Sequence, residues 1–317
     1  MRRELWPGVL PYSYVVGQAR LKRALELNYI APRIGGVLVS GDRGTAKSTT
    51  VRAFALMVYG QLPVTLPINA TDDRILGGWR LDELMEGRVV EQKGLLELAG
   101  ERGMLYVDEV NLLDDHVVNI VLDVSSTGIL TVQREGADRE IQVDIGMVGT
   151  MNPDEGGLRP QLLDRFGLMV EVHAEQDPAR RREILQTVLA MDAARARPVS
   201  DFAERGRAAD AKHKLRLDLA RDRFYDVEVD HDAATLCADI AASFQAAGHR
   251  GDVVTALAAR AFAALEGADT VTPRHVCAVA PLALQHRRQE TGTAAALTWG
   301  PADEQALLDV VAKATAG

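Results

Sequence analysis

The sequence predicts an α/β fold, a five-stranded parallel sheet flanked by helices, followed by an all-helical region. Three observations lead there. Short apolar runs containing β-branched residues alternate with helical patterns as far as His173, the arrangement of parallel strands joined by crossover helices. Beyond "HAEQDPARRREIL" strand signals almost stop, and alanine and charge recur with helical periodicity through Lys313. The 317 residues suit about two domains. The boundary is expected between His173 and Asp177, so that 1–175 form the α/β domain and 176–317 the helical one.

"GVLVS" (Gly36 to Ser40) is a short apolar run that stops at a glycine, and reads as a buried parallel strand. Lys47 to Val58 reads as a helix, with Val51, Leu56 and Met57 on or near its inner side. "PVTLPI" (Pro63 to Ile68) is a second strand candidate, and "GMLYVDEV" (Gly103 to Val110) is a third that ends in carboxylates. From Asp114, "DDHVVNIVLDVSS" places Val118, Val121 and Leu122 on one helical face. "ILTVQREGADREIQVDI" alternates apolar and polar residues around a glycine-containing turn, a hairpin signal. "DIGMVGTMN" and "LMVEV" (Leu168 to Val172) complete the strands. Asp177-Pro178 then marks a helix start, with Asp as the cap and Pro at the first position. The charged stretch from Pro198 to Asp222 reads as a helix with a solvated face.

Composition narrows the function. The chain is 47% hydrophobic and 26% charged, with a formal net charge of −9, an ordinary globular balance. A nucleic-acid partner is not expected, because gripping phosphates calls for a basic face and no strand carries an aromatic-basic face. The cysteines, Cys237 and Cys277, lie in apolar helical stretches and read as buried core residues, with no disulfide or zinc spacing. "MRRELWPGVLPYSYVV" lacks the apolar run of a signal peptide, and no stretch approaches the ~18 uncharged apolar residues of a membrane span. A cytoplasmic protein with no membrane partner is expected.

The chemistry is concentrated in "GDRGTAKST" (Gly41 to Thr49). The phosphate-binding loop pattern is G-x-x-x-x-G-K-[ST]. Gly41, Lys47 and Ser48 fit it, and Ala46 stands where the second glycine is expected. Such a loop curls so that the N–H groups of Asp42, Arg43, Gly44, Thr45 and Ala46, and of Lys47, Ser48 and Thr49 as the helix begins, surround phosphates at the helix's positive end. Lys47 reaches the β- and γ-phosphates and Ser48 ligates Mg²⁺. The methyl of Ala46 is tolerable if the backbone there has negative φ and costly if φ is positive.

"MLYVDE" ends an apolar strand in Asp108 and Glu109. Adjacent acids at the end of a buried strand need a cation to face. Asp108 can hold Mg²⁺ through water, and Glu109 can deprotonate the attacking water. Asn152 ends the next core strand, where it can position that water from the other side. Arg159 and Arg165 precede the last strand, and an arginine there can reach a neighbour's γ-phosphate. Arg250, at the start of an apolar helix in "AGHRGD", can clamp phosphate. Together these residues point to ATP binding and hydrolysis with ATP and Mg²⁺.

"VGQ" (Val16 to Gln18), "GGVLVSGDRGTAKSTTVRA", "LYVDEVNLLDDH", "VGTMNPDEGGLRPQLLDRFGL" and "GHRGDVV" resemble the ATPase subunits of magnesium chelatase, subunit I, from about Tyr14 to His286. These are AAA+ proteins of the branch that includes the MoxR-type ATPases. The resemblance implies a P-loop AAA+ core with a helical lid. It makes Lys47 and Ser48 Walker A residues, Asp108 and Glu109 Walker B, Asn152 sensor 1, Arg165 the arginine finger with Asp164 beside it, and Arg250 sensor 2. It makes the Ile129 to Asp144 hairpin the insertion before sensor 1, and Asp72 to Lys93 an insertion directed toward a ring pore or partner. MoxR-type relatives carry "GTAKS" in the loop, so Ala46 fits a working site.

The resemblance also implies self-association into a ring, expected to be a hexamer. It implies a partner subunit with a von Willebrand A domain, a porphyrin-binding partner, and Mg insertion into protoporphyrin IX. The stretch "FALMVYGQLPVTLPINATD" is shorter than the cysteine-bearing insert of chelatase subunits. That departure keeps a second expectation in play, a MoxR-like chaperone that activates a metalloenzyme with a von Willebrand A partner.

Overall fold

The strands of the computed structural model are β1 (Val37–Gly41), β2 (Val64–Leu66), β3 (Gly77–Trp79), β4 (Glu91–Lys93), β5 (Met104–Val107), β6 (Ile129–Arg134), β7 (Ala137–Gln142), β8 (Gly146–Met151) and β9 (Leu168–Val172). The structure describes residues 8–79, 85, 91–134, 137–196, 201–288 and 298–316. Five strands form one parallel sheet in the order β2-β5-β8-β1-β9. These are the five expected strand segments: β9 has the expected bounds, β1 starts and ends one residue later than expected, and β2, β5 and β8 are shorter at both ends.

Successive residues on these strands feed different cores. Val37, Val39, Tyr106, Val148 and Val170 join one apolar cluster. Leu38, Leu105, Val107, Met147 and Met169 join the other. A sheet covered on both faces needs nearly continuous apolar strands, which is why these segments stand out in the sequence. The first cluster takes in the helices Ala19–Ile30 and Lys47–Tyr59, and the second takes in Leu95–Arg102, Asp115–Thr127 and Pro160–Arg165.

After β9 the described elements are helices: Pro178–Arg195, Asp201–Asp222, His231–Ser243, Arg250–Glu266, Pro273–Leu284 and Pro301–Ala316. The first starts as expected, with the Asp177 carboxylate accepting from the Ala179 N–H at 3.0 Å and Pro178 at its first position. Alanine is the packing currency of this region. Ala258, Ala259, Ala261, Ala263 and Ala264 are buried in one helix, and such small side chains allow interaxial distances near the lower end of the ~8–10 Å range. Leu217, Ile240, Val279 and Leu307 belong to the same apolar cluster as Val37 and Val170, so the helical region packs directly onto one face of the sheet.

The charged helix Asp201–Asp222 is largely solvated, as expected, but one side of it anchors the N-terminal segment. Asp210 accepts from the backbone N–H groups of Tyr12 and Ser13 at 2.9 and 2.8 Å. β6 and β7 form the expected antiparallel hairpin, whose turn (135–136) lies outside the described residues. In the Asp72 to Lys93 segment a short helix, Asp72–Leu76, leads into the antiparallel pair β3 and β4, and residues 80–84 and 86–90 lie outside the described residues. So do the first seven residues of the N-terminal stretch and 198–200 of the charged one. Among the described residues no helix is long and apolar enough to cross a membrane.

Because the sheet is parallel, Gly41, Val107 and Met151 all end their strands at one edge. The phosphate loop, Asp108-Glu109 and Asn152 follow these strands and therefore meet there. A crevice at the carboxyl ends of parallel strands is the usual ligand site of such sheets.

Candidate active site

The loop begins where β1 passes closest to β9. Gly41 has φ 147, and a Cβ there would sit 2.0 Å from the Val172 carbonyl oxygen, so only glycine fits. At the other end of the loop Ala46 has φ 63 and ψ 21, the left-handed region. The alternative left open by the sequence is thereby resolved: Ala46 takes the glycine-favouring conformation, at a cost of roughly 1–2 kcal/mol for an L-residue. Its carbonyl accepts from the Thr50 N–H at 3.0 Å and the Thr50 hydroxyl at 2.9 Å, which opens the helix Lys47–Tyr59. Ala46→Gly is expected to raise stability by about 0.5–1 kcal/mol, because relief of strain exceeds the added freedom of the unfolded chain. Urea unfolding measures this, and a fall in stability would show the methyl to be unstrained.

Behind the loop runs a chain of hydroxyls. The β5–β8 register pairs Tyr106 with Val148 and Val107 with Gly149, which brings Thr150 level with Asp108. Asp108 Oδ1 accepts from the Tyr106 hydroxyl at 2.8 Å and from Thr150 Oγ1 at 2.7 Å. Tyr106 is buried, and burial pushes its pKa up to about 12, so the phenol keeps its proton. With the phenol hydrogen directed at Asp108, Ser48 Oγ at 2.8 Å is the donor to the Tyr106 oxygen. The Ser48 lone pairs are then left for a cation. Thr150 Oγ1 also accepts from the Glu109 N–H at 3.2 Å, and Glu109 is held with φ 54. A non-glycine residue in that region is a marker of functional sites.

Lys47 Nζ donates to the carbonyls of Gly41 and, at 2.7 Å, Asp42. Burial lowers its pKa, against the pull of Asp42, Asp108 and Glu109. The Arg43 guanidinium bridges Glu109, at 3.4 Å, and Glu155. Asn152 is buried, and its Oδ1 accepts from the Asp154 N–H at 3.3 Å, which leaves the amide nitrogen as the group that can donate into the site. Arg43, Lys47, Ser48, Asp108, Glu109 and Asn152 all line one cavity of about 380 Å³.

A second cavity of about 500 Å³ adjoins it and shares Gly44, Thr45, Ala46 and Thr49. Val16, Gln18, Ile184, Leu185 and Val188 contribute to its wall. Gln18 Nε2 donates to the Thr45 carbonyl at 2.9 Å and ties this wall to the loop. The two cavities form one groove with a polar phosphate end and a more apolar end, the shape of a nucleotide site. The sequence reading did not single out Tyr106, Thr150 or this apolar end. Tyr106 and Thr150 stand two residues before Asp108 and Asn152, on the same face of their strands, and that spacing is the signal that finds them.

Ser48 and Asp108 fit Mg²⁺. Both offer oxygen, and Mg²⁺ bound with phosphates takes only one or two protein groups and keeps water. The described residues contain no cluster of three or more His, Cys, Asp or Glu side chains placed to hold a metal.

Arg165 and Arg250 are not brought to this cavity. Arg165 ends the helix Pro160–Arg165 just before β9, at the opposite edge of the sheet from Gly41. The five residues of β1 alone span roughly 16 Å. Arg165 Nη1 donates to Asp123 Oδ1 at 2.7 Å. Arg250 lies at that same far edge: a Cβ on Gly35 would be 3.7 Å from the Arg165 carbonyl oxygen and 3.9 Å from Arg250 Nη2. Arg250 therefore lies away from the phosphate loop of its own chain. Arg159 pairs with Asp115 at 2.6 Å. Cys237 is buried and Cys277 half-buried, both free, and burial pushes the Cys237 thiol up to about 12.

Residues 36–166 match the AAA domain (dynein-related subfamily) family and residues 234–307 the AAA lid domain. The chloroplastic magnesium-chelatase subunit ChlI of Nicotiana tabacum is 38% identical across 88% of this chain and 74% of its own length. ChlI of Cyanophora paradoxa is 36% identical, across 88% and 90%. An uncharacterized protein of Mycobacterium tuberculosis is 41% identical across 88% of this chain, which spans only 45% of that protein. Among solved structures, a chain in the complex between subunits BchI and BchD of magnesium chelatase is 35% identical, with a TM-score of 0.50 over 95% of this chain and 99% of that one. A Cytophaga hutchinsonii protein, 18% identical with a TM-score of 0.67 over 95% of this chain and 91% of its own, shares the fold.

Proposed function

The chain belongs to the ChlI/BchI family of magnesium-chelatase ATPase subunits, and from that premise we propose that it is the AAA+ motor of a chelatase-type complex whose active site is completed between adjacent copies. One observation carries the second half of this reading. The phosphate cavity lies at the carboxyl edge of the sheet and the arginines Arg165 and Arg250 at the opposite edge. In a ring, expected to be a hexamer, one copy's arginine edge faces the next copy's phosphates.

The residues divide the work as follows. Val16, Gln18, Ile184 and Val188 hold the nucleoside of ATP, and the loop N–H groups and Lys47 hold its phosphates. Ser48 and Asp108 would hold Mg²⁺, which supplies neutralising charge to the phosphate oxygens. Glu109 takes the proton of the attacking water, Asn152 orients that water, and the neighbour's Arg165 and Arg250 stabilise the charge on the γ-phosphoryl group. Turnover moves the β6–β7 hairpin and the lid against partners: a subunit with a von Willebrand A domain and a porphyrin-binding subunit, with Mg insertion into protoporphyrin IX as the outcome.

The short stretch between the helix Lys47–Tyr59 and Asp72 favours a second reading, a MoxR-like chaperone that works with a von Willebrand A protein on another metalloenzyme. Reconstitution separates the two. With both chelatase partner subunits, ATP and Mg²⁺, the fluorescence of the metallated porphyrin is expected to appear only when this chain is present. If ATP-dependent binding to the A-domain partner occurs and no porphyrin is metallated, the chelatase reading fails and the chaperone reading replaces it.

A further inference from the structure

Arg165 can serve a neighbouring copy only if the turn that carries it keeps a fixed shape, and one side chain outside the phosphate chemistry holds that turn. Arg287, just past the helix Pro273–Leu284, has a side chain with 0% exposure. Its Nε donates to Asp164 Oδ1 at 3.1 Å. Its Nη2 donates to the Asp164 carbonyl at 2.9 Å and the Phe166 carbonyl at 2.6 Å. Its Nη1 donates to the Gly167 carbonyl at 2.9 Å and to the Ala283 carbonyl. The residues immediately before and after Arg165 are thus bound to a single guanidinium, which is anchored in turn to the last turn of the preceding helix.

The two residues before Arg287 act alongside it. The buried imidazole of His286 hydrogen-bonds through Nε2 to the Phe166 carbonyl at 3.0 Å, and Gln285 donates to the Met169 carbonyl. Burial and the neighbouring Arg287 hold the His286 pKa well below the usual histidine range, so the ring is neutral and its Nε2–H is the donor. A guanidinium offers five N–H donors in a rigid plane. A lysine in its place keeps the charge but not the fork.

We infer that Arg287 is a positioning residue for the arginine finger: it locks the Asp164–Gly167 turn to the lid helix so that Arg165 meets the neighbour's phosphates at a fixed distance and angle. This rests on the reading that Arg165 acts in trans. Displacing a catalytic group by ~1 Å can lower a rate by about 10².

The test sorts variants into complementation groups, using the full chain. Arg287→Lys is expected to bind a fluorescent ATP analogue within about threefold of wild type while kcat falls about 10²-fold. Mixed with Glu109→Gln, it is expected to regain turnover, because some interfaces then combine an intact Glu109 with an intact finger turn. Mixed with Arg165→Ala, it is expected to stay inactive, because both defects lie on the finger side. A merely structural defect would lower nucleotide affinity or fail to complement either partner. Normal turnover of Arg287→Lys, rescue by Arg165→Ala, or no rescue by Glu109→Gln would each overturn the inference. The control is Arg165→Ala mixed with Glu109→Gln. If the control regains turnover and Arg287→Lys does not sort with Arg165→Ala, only this inference fails; if the control stays inactive, the trans reading fails and takes the inference with it. Should Arg287→Lys not fold, Asp164→Asn removes one carboxylate contact and keeps the carbonyl bonds. It is expected to sort into the same group with a smaller loss, and sorting with Glu109→Gln instead would overturn the inference.

Discussion

Glu109→Gln is expected to bind ATP as wild type does and to hydrolyse it about 10²–10⁴-fold more slowly, the range for loss of a general base. The substitution keeps the shape at the end of β5 and leaves Asp108, with its bonds to Tyr106 and Thr150, in place. It also weakens the pair with Arg43, but Arg43 is 71% exposed, and ion pairs at such positions contribute little. Lys47→Ala should do the reverse. It removes a charge-assisted bond to phosphate worth about 1.5–3 kcal/mol, or roughly 10–150-fold in affinity. A fluorescent ATP analogue measures affinity, and phosphate release measures turnover. Equal affinity losses in both variants would contradict the division between binding by Lys47 and chemistry by Glu109.

The parts of this site readable from sequence are those that local pattern dictates. β1, β5, β8 and β9 are buried on both faces, so they appear as apolar runs, and Lys47, Ser48, Asp108, Glu109 and Asn152 follow them directly. The parts that escaped depend on conformation or on distant contacts. Nothing in the letters "GTAKS" reveals that Ala46 has φ 63. The apolar end of the groove needs Val16 and Gln18 to face Ile184 and Val188, residues brought together only by the lid's packing on the sheet. The same packing sets Arg250 beside Gly35 and the Arg165 carbonyl. Its place in "AGHRGD" marks the start of a helix but not the edge of the sheet it serves.

Arg165→Ala is expected to bind ATP with near-normal affinity and lose most turnover. A finger supplied in trans contributes about 10³–10⁵ in kcat, equivalent to about 4–7 kcal/mol of barrier. Binding survives because the Arg165 side chain lies at the far edge of the sheet, paired with Asp123 at 2.7 Å, and touches none of its own chain's phosphate cavity. On the trans reading, that far edge is the one that meets the phosphate cavity of the next copy. The consequence is testable without a structure of the assembly. Mixing Arg165→Ala with Glu109→Gln, each inactive alone, should restore part of the activity, because mixed rings contain interfaces with one intact Glu109 and one intact Arg165. Wild-type turnover per chain should also rise more than linearly with concentration as copies associate. Turnover that stays constant down to concentrations at which sedimentation shows a monomer, together with an inactive mixture, would mean that Arg165 acts within its own chain or only holds Asp123, and the shared-site model would be lost.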